Sequence, residues 1–339
     1  MFSEPFTYLT LYQYPVKMKK SLSYALFFLF SILLPAAKSI AQDAAPDTVK
    51  TGIYITSIHG IDFKESEYTI TFWLWMTYKR KEFDLLQNLE IPQAKTVTKS
   101  FSTIDTSDGK LFILMKIQCV MKDSWKINNF PFDRQKLRLS VENSQFDSHD
   151  LVFAPDTFGK NYDPRFTLRG WRIDSFRMAA GIKAYETTFG DETLPQPHVE
   201  YSSFDVNIGI GRDGGELFWK MFLGMYVAFL IAYVCFYIHA DNIDSRFGLS
   251  VGSLFACVGN KYIIDSALPD STVLTLVDIL HGITLLFIFV IITCSAYSLK
   301  LFKAGKIRQA NRFDIIIGQV LLASYIILNA WFILTARNS

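Results

Sequence analysis

Residues 244–269 have the sequence DSRFGLSVGSLFACVGNKYIIDSALP. As a helix rising 1.5 Å per residue, this stretch is long enough to cross a hydrocarbon core about 30 Å thick. Between Asp244 and Asp265, however, lie three serines, three glycines, a cysteine, an asparagine and a lysine. A hydrophobic segment interrupted in this way is too polar to face lipid on every side, so we expect it to line a pore.

More apolar segments surround this stretch. We predict membrane helices at about residues 217–238, 246–264, 273–299 and 315–334, within a C-terminal domain of residues 217–339. The loop between the third and fourth segments is basic and should be cytoplasmic, which puts the preceding domain on the outside. Its cations are Lys300, Lys303, Lys306, Arg308 and Arg312. The formal net charge of the chain is only +2, and we expect no nucleic-acid partner.

Residues 1–41 are predicted to be a signal peptide. Lys19 and Lys20 precede an apolar run from Tyr24 to Leu34, and small residues come before Gln42. The alternative is a membrane anchor, but the apolar run is too short to span a bilayer. Met18 is a second candidate for the true start of the chain.

Residues 42–216 have the pattern of an antiparallel β-sandwich. Short runs rich in Val, Ile, Phe, Tyr and Trp alternate with polar residues and end at turn-forming clusters. We find no nucleophile elbow, phosphate-binding glycine loop or zinc-spaced histidine pair, so we expect neither an enzyme nor a metal or cofactor site. Cys119 is the one cysteine in this region, and the domain therefore cannot contain an internal disulfide.

Residues 129–137, NFPFDRQKL, predict a hairpin in which a proline sets the turn between two aromatics. The motif Phe-Pro-Phe-Asp-x-Gln resembles the signature loop of the pentameric ligand-gated ion channels. In animal members cysteines bracket this loop. Here the bracketing positions are about Asp123 and Leu137, which resembles the bacterial branch.

This resemblance covers roughly residues 50–336. It implies a homopentamer with an extracellular β-sandwich over four transmembrane helices. It also implies that the signature loop couples domain motion to the pore through Phe130, Pro131, Phe132, Asp133 and Arg212.

Two stripes on residues 244–265 compete for the pore. From the pattern alone, the polar stripe Arg246, Ser250, Ser253, Cys257 and Asn260 would face water. The family register instead points the other stripe at the axis, with Phe255 and Tyr262 as constrictions. That stripe comprises Gly248, Gly252, Phe255, Gly259 and Tyr262, and our prediction follows it; close helix packing is another explanation of its glycines.

Carboxylates at both ends of the same segment suggest how ions are selected. Rings of Asp244 at the inner mouth and Asp265 at the outer mouth would favour cations. Asp278 and His281 are ionisable at membrane depth and should face protein or water. Structural hydrogen bonding and proton sensing are both open for them.

The family binds agonists between subunits, in a box of aromatic side chains. The residues of this chain that resemble that box are Trp73, Phe158, Tyr162, Tyr185, Phe189 and Tyr201. For each of them alone, packing in the sandwich core is the competing explanation.

The resemblance predicts a subunit of a cation-selective, ligand-gated ion channel, multi-pass in a bacterial inner membrane with its N-terminal domain extracytoplasmic. The alternative is a non-conducting membrane receptor of the same fold. The expected partners are further copies of the chain, membrane lipid and a small-molecule or ionic agonist. Calcium ions and protons stay open as modulators.

Overall fold

The computed structural model describes residues 45–165, 167–190, 192 and 194–338. The predicted signal peptide lies outside the described residues. The described chain begins with a β-rich part and continues as long helices. The predicted fold class, a β-sandwich followed by four membrane-length helices, is confirmed for this part of the chain.

The β-rich part consists of two facing sheets. The strands in chain order are β1 (Asp47–Asp62), β2 (Glu67–Tyr78), β3 (Leu89–Glu90), β4 (Ala94–Ser107), β5 (Lys110–Lys122), β6 (Arg134–Asn143), β7 (Leu151–Pro155), β8 (Trp171–Tyr185) and β9 (Val199–Arg212). One sheet has the order β4-β5-β2-β1-β7 and the other the order β3-β6-β9-β8. The strand pairs are antiparallel except β1 with β7, which run parallel.

The core lies between the two sheets. In β2 every second side chain is buried, as a half-buried strand requires, and these residues include Ile70, Phe72 and Leu74. They meet inward-facing residues of the opposite sheet, such as Phe204 and Val206 of β9. The apolar side chains of the two sheets thus form one shared core.

Among the described residues, four helices are long and apolar enough to cross a membrane. They are α1 (Gly214–Tyr233), α2 (Ile243–Asp265), α3 (Leu276–Lys303) and α4 (Ile307–Asn338). A 3-10 turn, Val234–Tyr237, extends α1. Side chains of all the helices share one apolar core, in which Phe229 of α1 stacks on Tyr325 of α4 with ring centroids 3.7 Å apart.

The helix ends differ from the positions expected from hydropathy. The largest difference is in α4, which begins at Ile307 rather than at residue 315. Its first turns carry Arg308 and Arg312. Because a hydropathy pattern locates only the apolar part of a helix, it misses these charged turns. Helix α1 begins at Gly214 rather than at residue 217, directly after β9.

Candidate functional site

Helix α2 exposes its glycine and aromatic stripe. In the single subunit Phe255 is 69 % exposed and Tyr262 is 75 % exposed. Gly248, Gly252 and Gly259 lie on the same face, and a Cβ added to any of them would meet no other atom of the described chain within 4 Å. The stripe therefore packs against no other part of the described chain.

The polar stripe of α2 faces the neighbouring helices. Ser250, Ser253 and Cys257 are fully buried, and Ser250 Oγ donates to the carbonyl oxygen of Arg246 at 2.9 Å. Asn260 Nδ2 donates to the carbonyl oxygen of Met221 in α1 at 3.1 Å. Hydrogen bonds between and within helices thus account for the polarity that first suggested a water-lined face.

The two aspartates proposed for selectivity have different surroundings. Asp244 is exposed in the first turn of α2. Asp265 Oδ2 accepts from Lys261 Nζ at 2.6 Å, which offsets its charge. At 3.6 residues per turn, Asp244 lies roughly 40° around the helix from Gly248 and Asp265 roughly 100°. The geometry favours Asp244 as the carboxylate that belongs to the exposed stripe.

The ionisable residues of α3 make hydrogen bonds inside the helix bundle. Asp278 forms a capping box with Thr275 at the start of α3 and pairs with Lys261 Nζ at 2.8 Å. His281 is fully buried, with Nδ1 2.8 Å from the carbonyl oxygen of Val277 and Nε2 3.1 Å from Oδ1 of Asn260. Both side chains connect α2 to α3 and face protein.

Three of the six proposed ligand residues form one aromatic cluster. The ring centroids of Tyr185, Phe189 and Tyr201 lie 5.5 to 6.3 Å apart. They line a cavity of about 330 Å³ together with the carboxylates of Glu90 and Glu142. Three aromatic rings beside two carboxylates form a surface suited to an organic cation.

Two hydrogen bonds hold the Glu142 side chain in the wall of this cavity. The Tyr185 hydroxyl donates to Glu142 Oε2 at 2.7 Å, and Lys183 Nζ donates to Glu142 Oε1 at 2.9 Å. Burial, and then the hydrogen bond to Glu142, raise the pKa of Tyr185, so its hydroxyl remains a donor at physiological pH. Burial also raises the pKa of Tyr201.

The other three proposed ligand residues lie apart from this cluster in the subunit. Trp73 packs edge-on against Phe101, at a centroid distance of 5.6 Å, on the opposite sheet. Phe158 is 91 % exposed, and Tyr162 packs against the sandwich core. One subunit therefore does not gather all six residues, and a box built from them requires a second copy.

A buried ion pair lies where the sandwich meets the helices. Arg212 Nε donates to Asp133 Oδ1 at 3.0 Å. The guanidinium carbon of Arg212 lies 4.0 Å from the ring centroid of Trp171, 4.8 Å from that of Phe63 and 5.0 Å from that of Phe130. Burial lowers the pKa of Arg212, while Asp133 opposes this shift; an arginine stays charged at physiological pH regardless.

The signature loop also touches the helices directly. Phe132 stacks on Phe218 of α1 with centroids 5.6 Å apart. A Cβ added to Gly214 would lie 2.3 Å from the carbonyl oxygen of Pro131, so only glycine fits there. The backbone N–H of Leu276, the first residue of α3, donates to the carbonyl oxygen of Asn128 at 2.8 Å. The loop and the residue before it thus contact both α1 and α3.

Several residues that contact the predicted site residues were not identified from the sequence. Asp314 forms an ion pair with Arg246. The sequence did offer a signal for it, because an acidic residue next to a predicted membrane span is expected to pair with a basic one. Phe63 and Trp171 gave no signal, since nothing in their local sequence separates them from core aromatics. Within the described residues, no cluster of three His, Cys, Asp or Glu side chains could hold a metal ion.

Comparison with known proteins identifies the chain's relatives. It is 24 % identical over 267 residues to a proton-gated ion channel from Gloeobacter violaceus, covering 72 % of this chain and 71 % of that protein. It is 21 % identical over 272 residues to a glutamate-gated chloride channel from Drosophila melanogaster and 20 % identical over 272 residues to the human gamma-aminobutyric acid receptor subunit rho-3. The chain is a homologue of the pentameric ligand-gated ion channels.

The extent of these matches differs between relatives. The Drosophila and human matches each cover 72 % of this chain but only 57 % of the Drosophila channel and 56 % of the human subunit. No protein-family model matches the chain. Since one relative is named as a chloride channel and another as proton-gated, homology alone assigns neither the ion nor the stimulus.

Proposed function

We propose that the chain is a subunit of a homopentameric, ligand-gated, cation-selective channel in which α2 of every copy lines the pore. The observation that carries this proposal is the orientation of α2. Its polar stripe is buried against the other helices, while the stripe containing Phe255 and Tyr262 is exposed. A membrane helix that buries its polar residues and exposes glycines and aromatics suits a wall formed with other copies.

Phe255 and Tyr262 are the proposed constrictions. Five copies of each side chain around an axis would form two aromatic rings, and a narrow apolar ring stops ions by dewetting the pore. The glycines at 248, 252 and 259 leave the pore wider between and below these rings. The closed state would thus be an apolar gate that opens when the α2 helices tilt or rotate.

Cation selectivity is proposed to rest on Asp244. Its carboxylate is exposed at the end of α2 farthest from the sandwich, and a ring of five would attract cations. The neighbouring cation, Arg246, is 2 % exposed and paired with Asp314, so its charge is withdrawn from the axis. Asp265 contributes less because Lys261 binds it.

The cavity at Tyr185, Phe189 and Tyr201 is the proposed ligand site. A cationic amine would lie over the rings and approach Glu90, since Lys183 already offsets the charge of Glu142. Binding that differs between resting and open states would shift the population of pores, and the ion pair Arg212–Asp133 would transmit the change.

The proposed location is a bacterial inner membrane, with the sandwich on the extracytoplasmic side. Lys306 in the short loop between α3 and α4, with the basic residues at the adjoining ends of both helices, supports a cytoplasmic position for that loop. The bacterial assignment rests on the signature loop without bracketing cysteines.

The second candidate is a non-conducting receptor of the same fold. It is favoured by the bulk of Phe255 and Tyr262, since two aromatic rings in succession could keep a pore dry in every state. Such a protein would still bind a ligand in the sandwich and would signal through partners instead of current.

Electrical recording from purified protein in planar bilayers separates the two candidates. We expect cation current in response to one condition of a panel of pH steps, calcium concentrations and primary amines. The Phe255→Ala channel should open at a weaker stimulus than the wild type, or conduct without any stimulus, because the substitution removes the apolar ring that blocks the pore. Val258→Ala is the control, since Val258 is also exposed on α2 but lies roughly 80° from Gly248. Silence of the wild-type protein and of Phe255→Ala in every condition would instead favour the receptor.

Substitutions of Tyr201 test the proposed ligand site. If an amine evokes the current, Tyr201→Leu should raise its half-maximal concentration about tenfold, whereas Tyr201→Phe should not. An equal effect of both substitutions would argue against contact between the cation and the ring.

A further inference from the structure

The sheet β3-β6-β9-β8 carries three rows of aligned side chains at the end that leads to α1. Residues paired directly across neighbouring antiparallel strands point to the same side of a sheet. The pairing of β6 with β9 and of β9 with β8 gives the rows Arg134–Gly211–Arg172, Lys136–Gly209–Ser175 and Arg138–Asn207–Arg177. Each row thus has a basic residue on one or both sides of β9.

These rows form a basic face that points away from the core of the sandwich. Ile208 and Ile210, which alternate with the row positions on β9, are buried in that core, whereas Lys136 and Arg177 are exposed. Successive rows are two residues apart on β9, which is about 7 Å. The five cations of the basic face therefore occupy an area about 14 Å long and about 10 Å wide, the width of two strand spacings.

Two of the five cations have a carboxylate partner. Arg172 Nε lies 3.0 Å from Oδ1 of Asp174, whose carboxylate occupies the place where Gly211 would carry a Cβ. Arg138 pairs with the buried Asp123. The cations that form no ion pair with any residue that the structure describes are Arg134, Lys136 and Arg177. Each row therefore contributes one uncompensated positive charge.

The charge changes sign beyond the third row. Asp205 of β9 is paired with Ser140 of β6, two residues after Arg138, on the same face of the sheet. Lys183 Nζ lies 2.9 Å from Glu142 Oε1 and 3.4 Å from Asp205 Oδ1, so two carboxylates share one ammonium group. This neighbouring part of the face is net negative, and it would confine an anion to the three basic rows.

We propose that the basic face binds a soluble, linear anion built of phosphate groups, of the chemical class of inorganic polyphosphate. A guanidinium group donates two parallel N–H bonds to a phosphate, which makes arginine well suited to this anion. Arg134 and Arg177 lie at diagonally opposite corners of the face and would each bind one phosphate of a chain that passes Lys136. The proposal does not depend on ion conduction or on the aromatic ligand cavity.

The length of the basic face favours a soluble chain over a membrane surface. Strand β9 leads directly into α1, so the first row, at Gly211, is the row nearest to the membrane helices. The third row, at Asn207, lies four residues further back along β9, or about 14 Å. A flat layer of lipid head groups would reach the first row, whereas a chain along the strands would meet the uncompensated charges of all three.

Fluorescence anisotropy of a labelled inorganic polyphosphate, titrated with the full-length protein in neutral detergent, tests the proposal. We expect saturable binding that weakens as the salt concentration rises, because binding of a polyanion releases its counterions. Unlabelled polyphosphate should compete with the labelled chain. At equal anionic charge, orthophosphate, polyglutamate and detergent micelles containing phosphatidylglycerol should each compete about tenfold less well.

A double substitution and a matched control locate the binding. Lys136→Gln combined with Arg177→Gln should weaken binding of the labelled polyphosphate about tenfold, because it removes two of the three uncompensated charges. Lys81→Gln combined with Lys110→Gln removes the same charge from exposed positions outside this sheet and should leave the affinity nearly unchanged.

A third variant should change the affinity in the opposite direction. Asp174→Asn removes the carboxylate that pairs with Arg172 on the basic face and should tighten binding about threefold, a gain that misfolding does not produce. An equal loss of affinity in the two double variants, or unchanged or weaker binding by Asp174→Asn, would overturn the proposal. Competition by orthophosphate, polyglutamate or the phosphatidylglycerol micelles as strong as that by polyphosphate would overturn it as well.

Discussion

Arg212 at the end of β9 is ion-paired with Asp133 of the signature loop, two residues before the chain enters the helix bundle. Arg212 Nε and Asp133 Oδ1 are 3.0 Å apart, and the two side chains are 12 % and 1 % exposed. The guanidinium carbon also lies within 5.0 Å of the ring centroids of Phe63, Phe130 and Trp171. A planar cation surrounded by rings and tied to one carboxylate fixes the loop relative to α1.

Removing either partner of this pair should be strongly destabilising. Asp133→Asn and Arg212→Gln should each lower the free energy of unfolding by about 3 kcal/mol, because each leaves a buried charge or dipole without its partner. The double substitution should cost less than the sum of the two. Chemical unfolding followed by tryptophan fluorescence measures all four proteins. Additive effects would show that the two side chains do not stabilise each other.

Gly214 and Gly215 form a natural matched pair for testing contact between the loop and the helices. A Cβ at Gly214 would lie 2.3 Å from the carbonyl oxygen of Pro131, whereas a Cβ at Gly215 would meet no described atom within 4 Å. Gly214→Ala should therefore displace the signature loop and lower stability by about 2 kcal/mol. Gly215→Ala should be neutral or slightly stabilising because alanine favours helix. Thermal unfolding compares them, and equal melting temperatures would mean that the loop does not press on α1.

Asp244 and Asp265, near the two ends of α2, should contribute differently to ion selectivity. Asp244→Asn should shift the reversal potential in a salt gradient toward that of a less selective pore, because it removes an exposed ring of charge. Asp265→Asn should change it little, since Lys261 already offsets the Asp265 carboxylate. Both measurements use the conditions that open the wild-type channel. A larger shift from Asp265→Asn would assign selectivity to the other mouth.

Local pattern in the sequence accounts for much of this fold. Helix α2 was located from its length and mixed polarity, and the sandwich from short runs rich in β-branched and aromatic residues, of which β2 is an example. Strand β4, by contrast, was not expected, because thirteen of its fourteen residues are exposed and an edge strand of this kind shows no apolar alternation. The parallel pairing of β1 with β7 joins segments far apart in the chain, which no local pattern specifies.

The residues of the candidate site could be predicted from the sequence where they all lie on one helix. They were harder to predict where segments distant in the chain come together. The orientation of α2 needed the family register, since its polar stripe by itself favoured the opposite face. The partner of Arg246 lies 68 residues away in α4. Phe63 reaches Arg212 from the turn after β1, and Trp171 from the start of β8. Such contacts arise from tertiary packing, on which spacing along the chain carries no information.

The stability of the sandwich should depend on pH through Asp156. Trp75 Nε1 donates to Asp156 Oδ2 at 3.0 Å, and Lys50 Nζ lies 3.1 Å from Oδ1. The hydrogen bond from Trp75, followed by the interaction with Lys50, lowers the pKa of Asp156 below its usual value. An aspartate whose pKa is lower in the folded state stabilises the fold above the unfolded value of about 3.9, and this contribution is lost as the pH falls through the folded value.

Asp156→Asn should therefore lower the free energy of unfolding by about 1 kcal/mol at pH 7. The difference from wild type should shrink as the pH falls below the unfolded value of about 3.9 and vanish once the wild-type carboxyl is protonated in the folded state as well. Chemical unfolding followed by circular dichroism at a series of pH values measures both proteins. Lys50→Met is the control, because it keeps the hydrogen bond from Trp75 and should retain most of the pH-dependent difference. A difference between wild type and Asp156→Asn that is the same at pH 7 and pH 3 would show that ionisation of Asp156 does not stabilise the sandwich.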